Sequence, residues 1–281
     1  MKKLPLINAM LCTFAVCSIS TKLEAKTSVE KCDPNGTMSF YCSWSPVVRP
    51  HKSKEGNYYK ISTTYHLTFL KADEYQFRVK AYKPGIGAER FLTSNDCPDH
   101  YVINGGFSSQ NRNGNWTPSA LIVLNGKLIS RGALRVDGGI ISINGRNIYI
   151  TRNKIFPNTT KSISSLQTWP MLIFENKIDQ HEECKSNKCI QYANRSAIGL
   201  TDNGYVVYVT SIENSSTDAN VRGDTLVTFT EAISSKMKED GVNLEYLINL
   251  DGGLSVIYPT EHGLRTAGNG AVTSIICAYR R

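Results

Sequence analysis

The sequence predicts a single mixed α+β domain, rich in antiparallel strands, with one late helix packed on the sheet. Three observations carry this expectation. Tyr75 to Tyr82 alternates between apolar and polar residues. Three pairs of apolar runs are joined by Asn-Gly or Asp-Asn-Gly turns. One stretch, about Asp224 to Asp240, repeats its apolar residues at helical spacing. The chain has 281 residues, enough for one large core, and shows no linker or internal repeat that would divide it. With 41% hydrophobic and 20% charged residues, and 21 Gly and 10 Pro spread along its length, it resembles neither a disordered chain nor a coiled coil.

The first residues read as an export signal. Lys2 and Lys3 precede an apolar stretch from Leu4 to Ile19, and a cleavage-like site ends at Ala25. A membrane span needs about 20 predominantly apolar residues. This run is shorter and carries Pro5, Asn8 and Thr13, so the expectation is a removed leader over 1–25, a domain over 26–281, and a periplasmic or secreted product with no integral membrane segment. Lipid attachment at Cys17 is disfavoured, because Phe14-Ala15-Val16 lacks a lipobox leucine and small residue. Of 8 cysteines, Cys12 and Cys17 leave with the leader. The remaining even set favours disulfides outside the cytosol. The expected couples are Cys32 with Cys42, Cys184 with Cys189, and Cys97 with Cys277. A zinc site at His181, Cys184 and Cys189 is disfavoured, since the spacing fits no common ligand pattern. The formal charge of +8 falls to +6 once Lys2, Lys3, Lys22 and Glu24 are removed. The basic residues are scattered without a run, which argues for a solvated surface and against a nucleic-acid partner.

In Tyr75 to Tyr82 the residues Tyr75, Phe77, Val79 and Ala81 share one face, the pattern of a half-buried strand. Asn125-Gly126 joins ALIVL to KLIS, Asn144-Gly145 joins GIISI to RNIYI, and Asp202-Asn203-Gly204 joins AIGLT to YVVYV. In the helix Leu226, Phe229, Ile233 and Met237 form the apolar stripe, Asp224 is placed to cap the start and Gly241 the end. Tyr246 to Leu250 is short and apolar, as a buried strand is. Two stretches, Ser108 to Pro118 and Asn214 to Arg222, read as polar loops.

Three strings at strand ends carry the chemistry. In Ile103-Asn104-Gly105-Gly106-Phe107, paired glycines let backbone approach a ligand and aim amides at an anion. In Asn194-Arg195-Ser196-Ala197-Ile198-Gly199, an arginine is able to form paired hydrogen bonds to a phosphate. In Asn249-Leu250-Asp251-Gly252-Gly253-Leu254-Ser255, a carboxylate ends an apolar strand with glycines behind it. Alone, the first reads more readily as a plain turn and the second as a surface strand arginine, while the aspartate of the third is as readily a turn-former as a reactive group.

In this order the strings resemble the phosphodiester glycosidase family. INGGF lies at 103–107, SLQTWPMLI at 165–173 is similar to the family's Gln-x-x-Pro-x-Leu segment, and RSAIG follows at 195–199. RGDTLVTFTEAI at 222–233 leads into NLDGGLS at 249–255, with Arg265 and Asn269 before the last strand. The motif-bearing core runs from about 100 to 281, and the resemblance spans roughly 57–280. The chain departs from the family at Ser108, where a second aromatic is usual, and at Leu254, where glycine or serine is common. Five N-x-S/T sequons, at Asn35, Asn115, Asn158, Asn194 and Asn214, read as coincidence behind a lysine-rich leader of bacterial appearance.

The resemblance implies cleavage of the glycosidic bond of a sugar-1-phosphodiester. A phosphate monoester, with a second pKa of about 6, is expelled without much acid assistance. One carboxylate to attack the carbon or activate water, and one cation to hold the phosphate, then suffice. Asp251 fits the first role and Arg195 the second, helped by Asn104 and the amides around Gly105 and Gly106. Gln167, Ser255 and Asn269 are implied ligands of sugar or phosphate, as are Asn249, Gly252 and Gly253 within the Asp251 string. Glu175, Asp137 and Glu261 are candidates for a second carboxylate, and Trp116 for a sugar platform. His262 reads as an ordinary histidine. No cofactor and no metal are expected, and the partner is a sugar-phosphate or cell-surface glycan. Two other readings stay open: a glycan-binding or host-interaction protein on the same fold, and a phosphodiesterase cutting the phosphorus-oxygen bond.

Overall fold

The computed structural model describes residues 40–45, 49–52, 58–61, 63–92, 97, 101–131, 137–152, 163–179, 191–213, 223–260 and 262–281. The expected leader, Cys32, residues 181–189 with their two cysteines, residues 214–222, Glu261, and the sequons at Asn35, Asn158 and Asn214 lie outside these residues.

Three larger antiparallel sheets, three two-stranded ones and one α-helix organise the described residues. The largest sheet has seven strands in the order Phe40–Trp44, Thr63–Lys71, Tyr205–Glu213, Arg195–Thr201, Leu244–Asn249, Met171–Phe174 and Lys177–Ile178. The helix Leu226–Glu239 covers one face. Its Leu226, Phe229, Ile233 and Met237 pack on Tyr65, Leu67, Phe69, Val207, Val209 and Leu247. The other face presents Leu70, Val206, Tyr208, Ile198 and Ile248 to a second core. That core is closed by a five-stranded sheet (order Lys127–Ser130, Ile122–Leu124, Ser164–Thr168, Gly139–Asn144, Asn147–Arg152) and a three-stranded sheet (order Tyr75–Gly87, Ala271–Arg280, Tyr101–Asn104). The Leu244–Asn249 strand therefore has apolar layers on both sides, which explains why it reads as an unbroken apolar run.

The expected hairpins at Asn125-Gly126 and at residues 202–204 are present. Asn125 and Gly126 both take positive φ, 47° and 77°, as a tight two-residue hairpin requires. At the third hairpin the turn is Gly145-Arg146, one residue later than expected, because Asn144 pairs with Asn147 and glycine supplies the positive φ. The Ser108 to Pro118 segment, expected as a loop, forms a small hairpin of Ser108–Gln110 with Trp116–Pro118. Its turn is tied by the Asn111 side chain, which accepts the amides of Asn113 and Asn115 at 3.0 Å. The helix is capped by Thr225, whose hydroxyl accepts the Thr228 amide at 3.1 Å, in place of the expected Asp224. Asp224 instead accepts the Tyr65 hydroxyl at 2.5 Å, tying the helix start to the sheet. Gly241 ends the helix at φ 74° as expected. The Cys97–Cys277 disulfide joins the segment before Tyr101 to the last strand, as expected from the sequence, and Cys42 is also disulfide-bonded.

Candidate active site

The site forms where the Leu244–Asn249 strand runs out. Asn249 stands opposite Ala197, and the Leu250 amide donates to Ser196 O at 2.8 Å. Asn194 O then takes the amide of Gly253, also at 2.8 Å, where a regular ladder would use Gly252. The register slips by one, so Asp251 and Gly252 together stand opposite Arg195, the arrangement of a β-bulge. Both glycines are needed: a Cβ on Gly252 would lie 2.7 Å from Asn194 O, and Gly253 has φ +66°. On its other side, the Asp251 amide donates to Gly105 O at 2.9 Å. The three strings read from the sequence therefore meet at Asp251.

Asp251 is half-buried. Its Oδ1 accepts the Gly252 amide at 3.0 Å and its Oδ2 the Ser108 hydroxyl at 3.4 Å. Loss of water around the carboxylate pushes its pKa up to about 7, against the pull of the Gly252 amide and the Ser108 and Ser255 hydroxyls. A carboxyl held there is poised between acid and base near neutral pH.

Asn104 acts differently from the expected phosphate ligand. Its Nδ2 donates to the Asp251 carbonyl and its Oδ1 accepts the Ile257 amide at 3.4 Å, so both ends of a buried amide clamp the 251–257 segment. The expectation for the Gly105 and Gly106 amides is also corrected. Gly105 N donates to Ser274 O at 2.7 Å and Gly106 N to Ser274 Oγ at 3.1 Å, so both are engaged within the protein. The glycines serve close packing: a Cβ on Gly105 would sit 2.3 Å from Ser274 Oγ, and one on Gly106 2.9 Å from Gln167 O. Gly105→Ala is expected to displace that hydroxyl and cost about 2 kcal/mol of stability. A thermal melt checks this, and an unchanged midpoint would contradict it.

Arg195 is buried at 9% exposure. Its Nε donates to Asp224 O at 2.9 Å and its Nη2 to Gln191 O. These main-chain carbonyls help to orient the guanidinium. Gln167 is fully buried; its Oε1 accepts the Leu121 amide at 3.3 Å, while its Nε2 has no partner. Asn249 donates to Trp169 O at 2.9 Å and leaves its Oδ1 unpartnered. Thr168 Oγ1 closes the same corner on Asn249 O at 2.6 Å. The Trp169 ring stacks on Phe107, centroids 4.6 Å apart. Ser255 donates to Ala271 O at 3.0 Å beside the loop.

Several sequence candidates fall elsewhere. The Asn269 side chain is turned to Gly87 and accepts the Glu89 amide at 3.4 Å, so it braces that backbone and not Asp251. Glu175 sits exposed in the turn between Met171–Phe174 and Lys177–Ile178, at the opposite end of the strand from Pro170. Asp137 is buried and its carbonyl accepts the Met171 amide at 2.9 Å. Trp116 is 39% exposed on the 108–118 hairpin, and His262 is exposed in a turn. Asn194 is buried with its Oδ1 on the Glu213 amide at 3.0 Å, which removes it as a glycan acceptor in the folded chain. Ser274 and the Trp169 ring were not singled out from the sequence. Trp169 lies inside the quoted SLQTWPMLI string, and an aromatic beside an Asn-Gly-Gly-Phe partner was the available signal.

A β-layered domain with a half-buried carboxylate at a strand end, flanked by glycine loops and an arginine strand, has the makings of a hydrolase site. The chain belongs to the phosphodiester glycosidase family, whose model matches residues 99–271. The fold is similar to that of the zebrafish N-acetylglucosamine-1-phosphodiester alpha-N-acetylglucosaminidase catalytic domain auto-inhibited by its pro-peptide. That match has 14% identity and a TM-score of 0.57 over 91% of this chain and 88% of that one. It is also similar to a hypothetical protein from Synechocystis, at 14% identity and TM-score 0.54 over 86% of this chain. This chain spans 62% of that protein, less than two thirds of its length. No curated protein sequence matches.

Proposed function

We propose that the protein is an exported hydrolase that cleaves the glycosidic bond of sugar-1-phosphodiesters, releasing free sugar and a phosphomonoester. The observation that carries this is Asp251, a carboxyl with its pKa raised to about 7 at the meeting point of the three family strings. In its ionised form it either takes a proton from the attacking water or attacks the anomeric carbon itself, forming a glycosyl ester that water then hydrolyses to free sugar and the regenerated carboxyl. The bond from that carbon to the bridging oxygen breaks, and the oxygen leaves with the phosphate. Arg195 supplies the positive charge that holds the phosphate. The stacked Phe107 and Trp169 rings offer a flat apolar surface for a sugar face. The family match over residues 99–271 and the likeness to the zebrafish catalytic domain support the reaction class. Export is supported by the leader-like pattern of residues 1–25 and the Cys97–Cys277 disulfide. Among the described residues no helix is long and apolar enough to cross a membrane.

Hydrolysis in water labelled with heavy oxygen tests the bond that breaks. The label is expected in the released sugar; label in the phosphate would make the protein a phosphodiesterase. Activity is expected to survive EDTA, because a leaving group of pKa about 6 needs no Lewis acid to depart. Loss in EDTA, restored by a divalent cation, would contradict this.

A further inference from the structure

The two oxygens of Asp251 are held unequally. Oδ1 faces a fixed main-chain donor, the Gly252 amide at 3.0 Å, whereas Oδ2 faces a side-chain hydroxyl, Ser108 Oγ at 3.4 Å. Ser108 does not come from a loose loop. It opens the 108–118 hairpin opposite Pro118, and the Ser119 amide anchors that hairpin to Phe107 O at 2.9 Å. The Ser255 hydroxyl also bears on the carboxylate, but its proton is directed at Ala271 O at 3.0 Å. A hydroxyl has one proton to give. That leaves Ser108 as the side chain that donates to Oδ2.

We propose that Ser108 is a positioning residue for Asp251, its hydroxyl aligning Oδ2 and favouring the ionised carboxylate. The inference rests on the catalytic reading of Asp251. A separation of 3.4 Å is long for a hydroxyl-to-oxygen bond, so the contribution is modest in the free protein and grows as the bond shortens around bound substrate. The groups around the carboxylate allow a serine to matter. The segments that bond Asp251 are Asn104–Gly105, Ser108 and Gly252–Ser255, and they contribute no charged side chain. The adjoining strand contributes Arg195, drawn to the carbonyls of Asp224 and Gln191.

The test compares wild type, Ser108→Ala and Ser108→Thr by two readouts: the pH dependence of kcat/KM on a sugar-1-phosphodiester, and the titration of the Asp251 carboxyl carbon followed by NMR. Ser108→Ala is expected to move the titration midpoint up by about half a pH unit. The kcat/KM then falls about threefold on the acid limb and recovers at higher pH. Ser108→Thr, which keeps the hydroxyl, is expected to restore the wild-type midpoint. An unmoved midpoint in Ser108→Ala, or a loss equal at every pH, would overturn the proposal. Should Asp251→Asn retain full activity, the catalytic reading falls, and the NMR titration still decides by itself whether Ser108 acts on the carboxylate.

Discussion

Replacing Asp251 by Asn is expected to slow sugar release on the order of a hundredfold or more and, above pH 7, to leave the protein more stable than the wild type. The two effects share one cause. The carboxyl titrates at its ordinary 3.8 when unfolded and at about 7 in the fold, because burial disfavours its charge. Between those values the folded state keeps a proton that the unfolded state has released, so stability falls as pH rises through the window. Above it the whole cost is present, at most about 4 kcal/mol at about 1.36 kcal/mol per unit. Asparagine carries no charge to desolvate. Its carbonyl still accepts the Gly252 amide, and the Ser108 hydroxyl is able to turn and accept from its amide. Melts at pH 4 and pH 8 should find the two proteins alike at the lower pH and the variant several degrees higher at the upper. The wild-type rate should rise with pH through about 7, as a base requires. A variant less stable than wild type at pH 8 would contradict the account.

Arg195→Lys is expected to cost about a hundredfold in rate even though it preserves charge. The guanidinium reaches two carbonyls at once, Asp224 O through Nε at 2.9 Å and Gln191 O through Nη2. A single ammonium on a flexible stem lacks the planar fork that makes both bonds, so the cation is no longer fixed where a phosphate would meet it. The loss should be larger for phosphodiester turnover than for thermal stability. A lysine variant within threefold of wild type would remove Arg195 from the proposed role.

The parts of this architecture that local chemistry dictates were legible in the sequence. Asn125-Gly126 and the 202–204 turn announce themselves because tight hairpins need positive φ. The helix was visible in the spacing of Leu226, Phe229, Ile233 and Met237. The Glu175-Asn176 turn was not, since glutamate rarely takes the φ of 50° that it has here. Neither was the cap, because Asp224 and Thr225 are both capable of it and only Tyr65, 159 residues away in sequence, decides between them. That the strings holding Asn104, Arg195 and Asp251 lie together was suggested by motif order, and it is their backbones that meet, through Gly105, Asn194 and Ser196. What those residues do locally was not readable. The engagement of the Gly105 and Gly106 amides depends on Ser274, which lies 168 residues from Gly106. The turning of Asn269 toward Gly87 depends on a close approach that no spacing reveals. The raised pKa of Asp251 is likewise a property of burial, and burial exists only in the fold.

Cleavage of sugar-1-phosphodiesters by Asp251 is read out most simply as release of free sugar. Residues 26–281, purified under oxidising conditions, would be offered a panel of sugar-1-phosphodiesters including an N-acetylglucosamine one, beside Asp251→Asn. Release is expected from the wild type and not from the variant. No release by the folded, disulfide-bonded wild type across the panel, or equal release by both, would contradict it; binding of glycans without turnover would then make the protein a lectin-like relative on the same fold.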